Sequence, residues 1–200
     1  YGLTVYLGKN NTTSINGNIT TDGFKSAGLY LVQTEGNTTT INGDINTSGN
    51  DAYGITLYLA DNNITNLNGD ITKSGNASFS IYLNFSDNNT TTMTGDIFKS
   101  GNDAIAIVLK DSDNNTTNFT GNITKTGDDA FGLRLIRSDG NATTITGNIT
   151  TSGADAYGIQ IDSSHGNTTN LIGNISKSGT RANGLYIKDS NNNVTTITGN

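Results

Sequence analysis

The chain repeats itself every 26 residues from one end to the other, and few architectures accept that pattern. Glycine stands at Gly17, Gly43, Gly69, Gly95, Gly121, Gly147, Gly173 and Gly199. A second series runs Gly23, Gly49, Gly75, Gly101, Gly127, Gly153 and Gly179. A third, Gly2, Gly28 and Gly54, passes through Ser80 and Ala106 before Gly132, Gly158 and Gly184. Three independent series keep one step, without insertion or deletion, through about seven and a half copies. Self-similarity at this period marks solenoids and arrays, in which one repeat cannot bury its own apolar face and must stack on the next.

The apolar residues fall into columns with the same step. Ile15, Ile41, Leu67, Met93, Phe119, Ile145, Leu171 and Ile197 form one, and Ile19 to Ile175 another. Two more come from the unit Gly-Leu/Ile-x-Leu/Ile, as in Gly54-Ile55-Thr56-Leu57. Spacing of two within that unit is strand periodicity, and no segment sustains a helical pattern. Thr, Ile and Tyr surround these positions, while Asn, Gly, Asp and Ser mark corners. Each coil is therefore predicted to hold three short strands, for example Thr39–Asn42, Asp44–Asn46 and Tyr53–Tyr58. Turns over 47–52 and 59–63 close a triangle, with Gly43 at a tight bend. The absence of proline suits a chain in which every coil donates hydrogen bonds to its neighbour. The predicted fold is all-β, a parallel β-solenoid forming a single segment over 1–200, with a rise of roughly 4.8 Å per coil and a length of roughly 35–40 Å.

Only 32% of the residues are hydrophobic, a level at which disorder has to be considered. The strict placement of the apolar columns argues against it. There is no cysteine, so disulfides and thiolate metal sites are excluded. A net charge of −6 disfavours nucleic acid as a partner. No apolar run approaches the ~20 residues that a membrane span needs, and no secretion signal is present. The chain opens and stops in mid-repeat, which reads as a portion of something longer.

Two polar columns are unbroken. Asparagine occupies Asn11, Asn37, Asn63, Asn89, Asn115, Asn141, Asn167 and Asn193, and threonine occupies Thr13, Thr39, Thr65, Thr91, Thr117, Thr143, Thr169 and Thr195. They spell Asn-x-Thr in every coil, the acceptor motif for N-glycosylation. The competing reading is a structural ladder of stacked amides at a corner, with asparagine suited to a left-handed backbone. Glycans about 4.8 Å apart on one line would crowd severely, which favours the ladder. The Thr-rich segments, such as Thr38-Thr39-Thr40 and Thr90-Thr91-Thr92, suggest an ice-binding array. The adjoining columns interrupt it with Ile64, Ala142 and Val194, and with Asn66, Asn118 and Asn170.

Acidic residues recur at corners: Asp51, Asp103, Asp129 and Asp155; Asp61, Asp87, Asp113 and Asp139; Asp44, Asp70 and Asp96. Bound Ca²⁺ would relieve their repulsion, but the glycine-rich nonapeptide of calcium-binding β-rolls is missing. Solvated carboxylates partly balanced by Lys73, Lys99, Lys125 and Lys177 are the simpler expectation, and no cofactor is expected. Tyr1, Tyr53, Phe79, Phe131 and Tyr157 share a column and are expected to stack at a corner. Tyr30, Tyr82 and Tyr186 should point outward, where they can stack on sugars or serve as ordinary strand residues. The single histidine, His165, has no evident catalytic partner, and no hydrolase, zinc or phosphate-loop motif occurs.

The unit Ser48-Gly-Asn-Asp-Ala-Tyr-Gly-Ile-Thr-Leu57, echoed at 126–135 and 152–161, is followed by Asn-Asn-x-Thr and Gly-Asn/Asp-Ile-Thr. Over the whole chain this resembles the repeats of bacterial autotransporter passenger domains and related secreted β-helical adhesins. The resemblance implies an extracellular or cell-surface stalk, adhesin or fibre; that no enzyme is expected follows from the lack of any carboxylate or basic cluster or long inserted loop that breaks the repeat. Its partners would be other copies of the chain, head-to-tail or lateral, or a ligand on a host or cell surface. A carbohydrate- or ice-binding module is the competing class.

Overall fold

A computed structural model describes residues 1–199. It is a parallel β-solenoid with three sides and, among the described residues, no helix. The first side is an eight-stranded sheet containing Leu3–Tyr6, Ala27–Val32, Tyr53–Tyr58 and their successors. The second, also eight-stranded, contains Thr12–Asn16, Thr38–Asn42 and Ile64–Asn68. The third has seven strands, among them Ile45–Thr47, Ile71–Lys73 and Ile97–Ser100. Pairing joins each residue to the one 26 further on, as Ile55 to Ile81, Leu67 to Met93 and Ile71 to Ile97. A slip of register by one residue would turn the apolar residues outward, so the columns themselves hold the stack in phase.

The four apolar columns meet in the middle. Ile41, Ile45, Leu29, Leu31, Ile55 and Leu57 are completely buried, and the same positions form one continuous core along the rod. The tight bend between the second and third sides is glycine for two reasons. At Gly95 φ is +142°, and a Cβ would collide with the backbone carbonyl of Gly69 in the coil before.

The strands of the first and second sides lie where the sequence puts them, to within a residue. The third runs one residue later than expected, over Ile45–Thr47 rather than Asp44–Asn46. The shift has a consequence for charge. Alternation from Ile71 turns Lys73 to the inside, and Lys99 and Lys125 follow. Their exposures are 2%, 3% and 0%. These lysines do not balance the corner carboxylates in solvent. They lie inside the rod, beneath Thr47 and above Thr151 in the same column.

Candidate functional site

The asparagine column sits where the first side turns into the second. The left-handed conformation expected of it belongs to the residue just before: Asn62, Asn88 and Asn114 have φ between +55° and +57°, and Gly36, Gly140 and Gly166 fill the same place. The Asn-Asn pair thus divides the corner, the first residue bending the chain and the second filling the interior. Oδ1 of Asn89 accepts from both the backbone N–H (2.8 Å) and the amide (3.2 Å) of Asn63. Nδ2 of Asn89 donates to the carbonyls of Ala60 (2.7 Å) and Asp87 (3.1 Å) and to Oδ1 of Asn115 (3.1 Å). The same set recurs at Asn115, Asn141 and Asn167. From Asn37 to Asn167 none is more than 1% exposed. A glycan on these nitrogens has no room in the folded coil, whatever the Asn-x-Thr spelling suggests.

The threonine column behaves differently. Thr39, Thr65, Thr91, Thr117, Thr143 and Thr169 are equally buried, yet their hydroxyls have no hydrogen-bond partner in the protein. This column is buried but is no hydrogen-bonded ladder.

Further ladders tie the corners together through backbone N–H groups. Oδ1 of Asp61 accepts from Asp87 N, Asp87 from Asp113 N, and Asp113 from Asp139 N, at 2.7–2.8 Å. His165 continues this line, its own N–H donating to Asp139 and its Nδ1 accepting from Asn191 N (3.0 Å). The Asp44, Asp70 and Asp96 column works in the same way. An oxygen holding a backbone N–H is a natural use for a corner carboxylate. No group of three or more His, Asp or Glu arranged for a metal ion occurs among the described residues. Asp51, Asp103, Asp129 and Asp155 occupy a left-handed corner, with φ of +49° to +52°. Sequence reasoning missed a buried serine ladder, Ser86, Ser112, Ser138 and Ser164, in which each hydroxyl accepts the N–H of the coil before. Its signal, serine three residues ahead of the ladder asparagine, begins only at the fourth coil.

The interior lysines are held by oxygens that carry no charge. Nζ of Lys73 donates to Thr47 Oγ1 (2.9 Å), and Lys99 to the carbonyls of Gly75 (3.0 Å) and Ser100 (2.8 Å). Lys125 reaches the carbonyls of Gly101 (2.6 Å) and Thr126. Burial pushes the ammonium of Lys73 and of Lys99 down to about 7, and that of Lys125 to about 8. At Lys99 the neighbouring Lys73 and Lys125 add to the effect.

The outer face of the first side carries the aromatic residues. Tyr53 meets Phe79 with centroids 5.7 Å apart, and Phe131 stacks on Tyr157 at 5.1 Å, as their shared column leads one to expect. Tyr1 instead stacks on Tyr30 (5.3 Å), because Ala27 takes the place an aromatic ring would need. Tyr53 stacks on Tyr82 at 5.8 Å with an interplanar angle of 12°. In the neighbouring column Thr56 separates Tyr30 from Tyr82. The two small residues, Ala27 and Thr56, open a recess of about 290 Å³ walled by tyrosines. Burial raises the phenols of Tyr30, Tyr53 and Tyr82, the last to about 12, and neighbouring tyrosines reinforce each shift.

The outer face of the second side is mixed rather than uniformly Thr. Ile64 and Val194 stand 44% and 59% exposed among the threonines of one column. No protein-family model, curated protein or solved structure matches this chain.

Proposed function

We propose that the chain is a non-catalytic structural element, a rod serving as a surface stalk or as the repeating unit of an adhesive fibre or sheath. One observation carries this reading: the asparagine corner is rebuilt with the same hydrogen bonds in coil after coil. A chain built this way gains length by adding coils and has no privileged position at which to assemble a catalytic cluster. The extracellular or cell-surface setting rests on the resemblance to autotransporter passenger repeats. Partner copies of the chain, or a ligand on another surface, are the partners this reading names.

Electron microscopy of the purified chain and of its native source tests it. In the native source the expected object is a filament, sheath or surface projection of constant width. Native material containing only separate particles no longer than about 40 Å, with no filament, sheath or surface projection, would overturn the proposal. Binding is the second reading, favoured by the tyrosine recess. Ice binding has a weaker basis, since isoleucine, valine and asparagine interrupt the threonine face; thermal hysteresis that disappears on changing Thr40 and Thr92 is the result that would restore it.

A further inference from the structure

Coil equivalence fails most visibly at one place on the outer face of the first side. Two columns that carry tyrosine in adjoining coils each drop to a small residue there, Ala27 between Tyr1 and Tyr53, and Thr56 between Tyr30 and Tyr82. Tyr30 and Tyr82 stand two coils apart, roughly 9–10 Å at the inter-strand spacing. Tyr53 stacks on Tyr82 from the coil between them, so the open space, about 290 Å³, is bounded by Tyr30 and by the Tyr53–Tyr82 pair and is large enough for one sugar ring. We propose that this recess is a binding subsite for a single sugar ring of a neutral glycan.

The floor supplies the second observation. Thr56 and Asn84 line the recess and are 4% and 7% exposed. Thr56 Oγ1 and Asn84 Oδ1 are buried, and neither has a hydrogen-bond partner in the protein. Unpaired threonine hydroxyls recur inside this rod, so the amide oxygen of Asn84 is the stronger signal, and leaving it unpaired costs about 1–3 kcal/mol. Sugar hydroxyls both donate and accept, so a ring seated in the recess pairs with these two atoms once the side chains that close them off from solvent shift aside. Its C–H faces suit aromatic walls, and the phenol hydroxyls of Tyr53 and Tyr58 add polar groups at the rim.

Charge selects a neutral ligand. Lys25 lines the recess, while Asp51 lies beside Tyr53 and Asp111 beside Tyr82. Neither sign dominates, and the lysine disfavours the cationic ligands that aromatic cages otherwise attract.

The inference deepens the adhesive side of the proposed function. It fails separately from it, because rods seen by microscopy would remain rods if no sugar bound. The chain has eight tyrosines and no tryptophan, so its intrinsic emission reports on tyrosine alone. Titrations with the hexasaccharides of glucose, mannose and N-acetylglucosamine, with hexagalacturonate and with choline are followed by that emission and by calorimetry. At least one neutral hexasaccharide is expected to saturate the signal. Thr56→Tyr and Ala27→Tyr each extend a column with the residue its neighbours already carry, and each should weaken binding by roughly tenfold or more. Tyr186→Ala, on the same face but outside the recess, should leave it unchanged. The inference is overturned if no neutral probe saturates, if both filling variants bind as the parent does, or if hexagalacturonate or choline is preferred.

Discussion

Two columns of buried nitrogen run along this rod, and the fold treats them in opposite ways. At the asparagine corner every amide donates and accepts, so each coil satisfies the one before and is satisfied by the one after. On the third side an ammonium can only donate. Its partners are a threonine hydroxyl and backbone carbonyls, and its neighbours along the axis are more ammonium groups. A neutral group with both functions can be copied without limit, and the asparagine appears in every coil. A group of one sign cannot. The buried lysines span three consecutive coils, with Thr21 and Thr47 on one side; on the other, Thr151 separates them from Lys177, which is exposed. The lesson concerns repeat proteins generally: what stacks best is self-complementary in hydrogen bonding, not merely identical.

The most damaging way to break this contrast is at the asparagine. Asn89→Ala removes the acceptor of a buried Asn63 N–H and strips the carbonyl of Ala60 of its side-chain donor. A loss of about 3 kcal/mol or more in unfolding free energy is expected by chemical denaturation, with the asparagines on either side affected as well. Next comes the lysine column. Replacing Lys73, Lys99 and Lys125 together by threonine, the residue this column carries at Thr21, Thr47 and Thr151, should stabilise the rod at pH 7 by ~1 kcal/mol or more per site. The gain would show as a raised melting temperature.

The same lysines set a pH dependence. In the fold they keep their protons only below pH about 7 to 8, whereas their ordinary value is 10.5. Between those limits the unfolded chain binds more protons, so stability should rise with pH from about 7 to 10. Below about 7 the cost of charging them is fully present. Tyr82 acts oppositely at the alkaline end. With its phenol raised to about 12 from 10, it contributes stability that is lost as pH climbs through that range. Thermal melts at a series of pH values should therefore peak near pH 10, and the triple threonine variant should lose the rise between 7 and 10. The smallest effect is expected in the threonine column. Thr91→Val deletes a hydroxyl without a protein partner, and its stability should stay within about 0.5–1 kcal/mol of the parent, on the favourable side.

The sequence makes the coil, the three sides and the inward apolar columns plain, because each rests on a period of two or of 26 that survives every substitution. The ladders were less legible. The asparagine column announces itself by identity, but identity alone cannot distinguish it from the threonine column two residues on. One is held by its hydrogen bonds, and the other is buried with its hydroxyls unpaired. The lysines were misplaced for a related reason. Lys73 stands two residues after Ile71, so strand alternation already points it inward, but its charge argues for solvent. In the coil the geometry wins, since a strand of Ile71–Lys73 has no other face to offer that position. The recess was hidden because its signal is two small residues in different columns, and only the stacking brings Ala27 and Thr56 side by side.

The claim on which most of this rests is that the third side turns its lysines into the core. Nuclear magnetic resonance titration of the lysine side chains tests it directly. Three ammonium groups are expected to deprotonate between pH about 7 and 8. Lys9, whose ion pair with Glu35 raises it, should titrate far later. A single common transition near 10.5 for all eight lysines would contradict the inward placement, and with it the triangular coil described for this chain.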